Sequence, residues 1–264
     1  MNARIFAAVS AMALAIGGGA AIGAGKHGDA GTAASVNRIS AAVSAPDRPE
    51  DERALDESRK PVAVLAYLGL QPGMDAADLI PGAGYWSEIM GHAVAPGGTV
   101  TALQPDQFYR EDKDHAAWAA LEGRAPAVRM VRYPFEQFTY AKDSFDFAIM
   151  NLNYHDLYWQ SDKFKIPHTD PDAYLRALYG AMKPGGIVGI IDHAGPKGDT
   201  RAIVDATHRI APETVIADFK RAGFVLDGRS DMLANPDDDH SKLVFDPSVR
   251  GKTDRFILRF RKPR

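Results

Sequence analysis

The chain has no cysteine in its 264 residues. Disulfides, thiol nucleophiles, thiolate metal sites and lipid attachment to an N-terminal cysteine are therefore excluded. It also lacks an excess of positive charge, since 31 Lys and Arg face 34 Asp and Glu for a formal net charge of -3. Nucleic-acid-binding domains normally carry a basic patch. The one terminal charge cluster is Arg255, Arg259, Arg261, Lys262 and Arg264, and its first part alternates with apolar residues as a strand does. A G-x-S-x-G nucleophile turn is missing. So is a phosphate-binding G-x-x-x-x-G-K-S/T loop, because Gly251-Lys252-Thr253 has no leading glycine. Beyond the first 25 residues no apolar run approaches membrane length. What is present is ordinary globular composition, 45% hydrophobic and 25% charged.

The N-terminus stands apart. Arg4 precedes IFAAVSAMALAI (Ile5 to Ile16), and small residues follow to Gly25. These are the charged, apolar and small-residue regions of a secretory signal peptide, so residues 1–25 are expected to be a signal and the chain to be exported, to the periplasm. An uncleaved anchor over Ile5 to Ala24 is the alternative, although this stretch is rich in Ala and Gly and only weakly hydrophobic. Residues 26–46 are small and polar without clear periodicity and read as a disordered linker. Order is expected from Asp47 to Arg264.

The ordered part opens with a charged helix, Arg48 to Arg59, and a second over Val62 to Leu68 with Pro61 at its first turn. Strands and helices then alternate. Strand candidates are Met74 to Ile80, Thr99 to Leu103, Val128 to Tyr133, Phe145 to Met150, Ile187 to Ile191, Phe224 to Leu226 and Arg255 to Phe260. Helix candidates are Tyr85 to Val94, part of Pro105 to Ala120, Asp172 to Met182 and Pro212 to Ala222. The alternation predicts an α/β fold, an open doubly wound and mostly parallel seven-stranded sheet with helices on both faces. The last two strands have no helix between them and should form a terminal antiparallel pair. The long Pro-, Asp- and Gly-rich segment joining them, Asp227 to Asp254, is of a length that is usually functional or disordered.

Four groups of residues carry chemistry. Asp78 to Gly84 (DLIPGAG) lies between the first strand and a helix, where glycines let backbone approach an anionic ligand; a tight turn without a ligand uses the same residues. Asn151 to Asp156 (NLNYHD) follows the fourth strand, on the edge where open parallel sheets bind ligands. His155 there suits a general base, and a capping role for His155 and Asp156 is the alternative. Asp192-His193 ends the fifth strand and should lie beside His155. Asn235 to His240 (NPDDDH) fits a hard-metal site, a substrate clamp or a solvated turn.

The order of these motifs resembles the class I S-adenosylmethionine-dependent methyltransferases. The resembling residues are Asp78 to Gly84, Thr99 to Gln104, Ser144 to Ala148, Met182 to Gly186 and the closing antiparallel pair, over roughly Asp47 to Arg264. Asn235 to His240 and Arg250 to Phe256 look closest to a group of small, often exported, predicted methyltransferases. Two departures stand out. Ile80 replaces the family's usual glycine, and Gln104 takes the place of the acid that accepts from the ribose hydroxyls.

The resemblance implies S-adenosylmethionine as cofactor, held by Asp78, Gly82, Gly84, Gln104 and Asn151, and a small-molecule acceptor. His155 would deprotonate or orient that acceptor, supported by Tyr154 and Asp192. No metal, nucleic acid or membrane partner is expected, apart from an uncleaved N-terminal anchor. Export and the two departures leave two other functions open. One is an exported ligand-binding protein with a degenerate cofactor site. The other is a metal-dependent enzyme built on His155, Asp192, His193, Asp239 and His240.

Overall fold

A computed structural model describes the backbone of residues 26–264 and side chains from Thr32 onward. The expected signal segment lies outside the described residues. None of the described helices is long and apolar enough to cross a membrane.

The expected disordered linker is a helix, α1 (Lys26–Val43). Among its described side chains Ser35, Ile39 and Ala42 are buried, at helical spacing, and Ile39 and Ala42 join the core. Burying one such isoleucine contributes about 1.5–3 kcal/mol, enough to hold a segment whose composition is otherwise nondescript. The folded unit therefore starts before Asp47. The single charged helix read over Arg48 to Arg59 is two short ones, α2 (Glu50–Arg53) and α3 (Asp56–Arg59), followed by α4 (Pro61–Leu68).

Next come β1 (Asp75–Leu79), α5 (Tyr85–Val94), β2 (Thr99–Pro105), α6 (Asp112–Arg124), β3 (Val128–Tyr133) and β4 (Phe145–Asn151). They are followed by α7 (Pro171–Ala181), β5 (Met182–His193), α8 (Thr200–Thr207), α9 (Pro212–Arg221), β6 (Val225–Ser230) and β7 (Arg255–Arg261). Helix α8 has no counterpart in the sequence reading, because Val204 is its only buried residue.

The sheet runs β3-β2-β1-β4-β5-β7-β6. β3 through β5 are parallel, and β7 inserts antiparallel between β5 and β6. The expected architecture, including the antiparallel close, is present. One face packs on α1, α4, α5 and α6 through Ile39, Leu65, Ile89 and Trp118. The other packs on α7 and α9 through Leu175, Leu178 and Phe219. Gly189 of β5 permits the closest approach of α4, since a Cβ there would sit 2.4 Å from Leu68 Cδ1. The chain reverses its direction across the sheet between β1 and β4. The carboxyl ends of those two strands thus form the crevice where such sheets bind ligands.

Candidate active site

Two cavities open on that crevice. The smaller, about 430 Å³, lies over the β1–α5 loop and is lined by Glu52, Arg59, Asp78, Ile80, Gly82 and Asn151, among others. The larger, about 1000 Å³, is lined by His155, Trp159, His193, His208 and Phe245, among others. Leu152 and Asn153, just past β4, line both.

The β1–α5 loop assigns separate tasks to its residues. Gly82 lies at φ +59 with open space where a Cβ would be, so its backbone can touch a ligand. Its carbonyl is pinned by the Trp118 indole N–H at 3.0 Å. Gly84, expected to hold a cofactor, serves packing instead. At φ +93 it precedes α5, and a Cβ would meet Leu121 Cδ1 at 2.3 Å. Asp78 is buried and accepts from the Ser87 hydroxyl at 2.7 Å, tying β1 to the first turn of α5. Burial pushes its carboxyl up to about 7 against the opposing Ser87 and Arg59. Ile80 has φ 57, a left-handed backbone that β-branched residues rarely adopt. Its side chain forms part of the cavity wall.

Gln104 does not line either cavity. Its Nε2 donates to the Phe108 carbonyl at 3.0 Å, and its Oε1 is buried without a partner. Two side chains missed in the sequence lie across the cavity from the loop. Glu52 turns a buried, unpartnered Oε2 into a region where burial and then Glu88 push its carboxyl up to about 7, against Arg48 and Arg124. The Arg59 guanidinium lies 4.3 Å from the Tyr85 ring centroid and forms no ion pair among the described residues. Both sit on helices of four residues, whose charged composition reads from sequence as solvent-facing.

In the larger cavity His155 and Asp192 meet as expected. The His155 backbone N–H donates to Asp192 Oδ2 at 2.8 Å, and its Nδ1 lies 2.8 Å from Asp192 Oδ1. Its Nε2 lies 3.5 Å from Asp156 Oδ1. Burial lowers the His155 pKa, but the charges of Asp192 and Asp156 outweigh it and hold the ring up to about 9. His155 is therefore an imidazolium at neutral pH, a donor and not the resting general base expected. Asp192 stays ionised: burial would raise its pKa, and the charge and hydrogen bond of His155 bring it below the usual carboxylate range.

His193 bonds through Nδ1 to the Thr253 hydroxyl at 2.7 Å. Burial, with the charges of His155, Arg209 and Arg255, drives it down to about 3 in spite of Asp192. His208, absent from the sequence reading, brings its ring within 5.5 Å of His155 and 4.7 Å of Trp159. Burial and His155 lower it to about 4. One charged and two neutral imidazoles thus share the cavity.

Tyr154 is not there. It is fully buried, and its hydroxyl donates to Asp218 Oδ2 at 2.8 Å in the core beneath α9. Tyr154 and His155 open a short 3-10 turn, His155–Tyr158, in which successive side chains point about 120° apart, so Tyr154 turns inward as His155 turns to the cavity. The NPDDDH segment does not reach the histidines either. Asp238 forms a buried two-point ion pair with Arg209, at 2.8 and 3.0 Å. His240 pairs with Asp254 at 2.9 Å, and exposed Asp239 bonds Ser241. This segment anchors the long loop by its own bonds. Among the described residues, no three His, Asp or Glu side chains are placed to hold a metal ion.

With this geometry established, the chain can be set beside known proteins. Protein-family models and curated proteins give no match. Solved structures do. A SAM-dependent methyltransferase from Aquifex aeolicus has a TM-score of 0.56 at 20% identity, over 81% of this chain and 98% of that one. The Burkholderia thailandensis 1,6-didemethyltoxoflavin-N1-methyltransferase, solved with 1,6-didemethyltoxoflavin and S-adenosylhomocysteine, has a TM-score of 0.51 at 18% identity, over 91% and 92% of the two chains. The cyclase SpnF has a TM-score of 0.54 at 17% identity, over 89% and 96%. The fold is that of the class I methyltransferases, and the presence of a cyclase among them shows that the fold alone does not set the reaction.

Proposed function

We propose that this chain, with its class I methyltransferase fold, is an S-adenosylmethionine-dependent methyltransferase acting on a small acceptor. The observation that carries the reading is the pair of cavities meeting at Leu152–Asn153, on the β1/β4 crevice. One is suited to a cofactor and the other to an acceptor.

The smaller cavity fits the cofactor in chemical type. Gly82 offers bare backbone. Glu52 has an acceptor oxygen in want of a donor, and Arg59 a guanidinium in want of an acid, which together suit the ammonium and carboxylate of an amino-acid end. Gln104 Oε1 is a further buried acceptor without a partner, though it becomes available to a ribose only if its side chain turns. When bound, S-adenosylmethionine supplies an electrophilic methyl carbon. This chain's own contribution is placement, which can provide much of the acceleration in such a transfer. Asn151, Leu152 and Asn153 separate the two ligands, and Asp192 fixes the ring of His155 toward the acceptor.

The test is calorimetric titration of S-adenosylmethionine and S-adenosylhomocysteine into the full chain. Micromolar binding, about -8 kcal/mol, weakened at least tenfold by Arg59→Met, supports the reading. The absence of both binding heat and a thermal shift overturns it. The left-handed Ile80, its side chain in the cavity wall, favours a second reading, a ligand-binding protein that keeps the fold without the cofactor; the same null titration favours it. Export to the periplasm, inferred from residues 1–25, is part of the proposal and is tested by sequencing the N-terminus of the mature chain.

A further inference from the structure

The larger cavity is aromatic where it is wide and charged at one point. His208 presents its ring edge-on to Trp159 at 4.7 Å and to Phe245 at 5.3 Å. Phe164 lies 5.7 Å from Trp159 on the same side, and Phe164 and Phe245 are both more than half exposed at the rim. Such walls suit a flat ring, which gains from stacked and edge contacts beyond the area it buries.

The charged point is His155. Its Nδ1 is committed to Asp192 at 2.8 Å. Its Nε2 has only Asp156 Oδ1 at 3.5 Å, too far for a well-made hydrogen bond. A buried imidazolium therefore has one N–H not fully satisfied. The groups facing it are Asp192 and His193 from the end of β5, Asp156 from its own turn, and His208 after α8. Both other histidines are neutral, so among the described residues His155 is the cation in contact with this part of the cavity, with Asp192 on its far nitrogen and Asp156 at its flank. Arg110 and Lys163, with Glu111, Asp114 and Asp205, line its outer parts.

We propose that this cavity takes a planar aromatic hydroxyl compound and holds it as its phenolate, the oxygen on His155 Nε2 and the ring against Trp159, His208 and Phe245. An oxyanion completes the imidazolium with a charge-assisted hydrogen bond, about twice as strong as a neutral one. An aliphatic alcohol is too weakly acidic to ionise against an imidazolium. A basic amine enters as an ammonium, which has only N–H donors to offer an Nε2 that itself donates. A phenol, ordinarily titrating near 10 as tyrosine does, is shifted toward its charged form by a cation at hydrogen-bond distance. The phenol proton leaves to solvent, His155 keeps its own, and no proton remains to be removed when the oxygen acts as nucleophile. This inference rests on the methyltransferase reading for its reaction but not for its binding step.

The test uses 4-nitrophenol, whose anion is coloured, and the full chain without cofactor, at a pH slightly below the ionisation of the free phenol. The expected result is a saturable phenolate absorption band on binding. His155→Gln removes the band, and Trp159→Ala weakens binding at least fivefold while the ligand that does bind still shows the band. 4-Nitroanisole, with no hydroxyl proton, produces no spectral change of that kind. Binding of 4-nitrophenol as the neutral phenol, no binding, or a band that persists in His155→Gln overturns the proposal. If His155→Gln does not fold, as judged by circular dichroism, the Trp159→Ala and wild-type spectra still decide it. A phenolate band without S-adenosylmethionine binding removes the methyltransferase reading and leaves this one. Cofactor binding without a phenolate band does the reverse.

Discussion

Replacing Ile80 with glycine should be unusually mild for the fold and favourable for the cofactor. Ile80 is 3% exposed and sits at φ 57. Removing its side chain forfeits about 1.5–3 kcal/mol of burial. Relief of the left-handed backbone returns about 1–2 kcal/mol. No new enclosed void forms, because the side chain already borders a cavity. The net loss is then at most about 2 kcal/mol by these two contributions. Ile149 is the control: fully buried in the regular strand β4, it should lose about 2–5 kcal/mol on change to alanine. Urea denaturation of Ile80→Gly and Ile149→Ala compares the two. Titration of S-adenosylmethionine into Ile80→Gly should show at least a tenfold gain in affinity, about 1.4 kcal/mol. A stability loss as large as that of Ile149→Ala refutes the argument from strain. Unchanged or weaker cofactor binding refutes the argument that Ile80 crowds the site.

Asp238→Asn leaves the fully buried Arg209 guanidinium uncompensated and should cost about 3–5 kcal/mol, seen as a lower urea midpoint and as early proteolysis between residues 231 and 254. The histidine cluster should give a stability maximum between its opposing titrations. His155 is raised from 6.5 to about 9, so its contribution is complete below pH 6.5 and is lost as pH rises through 9. His193 and His208 are lowered to about 3 and about 4, so theirs is present above pH 6.5 and is lost as pH falls toward those values. Urea midpoints taken from pH 4 to 10 should fall on both sides, and His155→Gln should flatten the alkaline side; a monotonic profile contradicts the assignment. Because Glu52 titrates near 7, S-adenosylmethionine affinity should rise from pH 6 to 8, and Glu52→Gln should shrink that rise, what remains belonging to Asp78, raised to about 7 in the same cavity. A rise of undiminished size in the variant rules out Glu52.

The sheet was legible because its strands carry the signal in their own composition. VRMVRY gives β3 with its observed ends, and the glycine breaks bound α5. Helix α1 was not, because among its described side chains Ser35 and Ala42 are two of the buried three, and hydropathy does not distinguish them from a linker. Helix α8 escaped for want of a second buried residue, and His208 with it, since His208 reaches the cavity only through the left-handed turn that ends that helix. His155 and Asp192 could be paired from sequence because both end neighbouring strands, and pairing order follows from the pattern of elements. Which of Tyr154 and His155 faces the cavity depends on one turn's dihedral angles, which residue type does not encode. The protonation of His155 was also out of reach, as it depends on Asp156 and Asp192 both closing on one buried ring.

Leu152 and Asn153 belong to the walls of both chambers, so the two sites share a surface. Leu152 has φ 60 and donates its N–H to the Ile191 carbonyl, so its side chain is held in place from β5. A ligand that moves or fixes this wall from one side changes the affinity on the other, and by linkage the effect is equal in both directions. Occupancy of one chamber would then be felt in the other, whichever fills first.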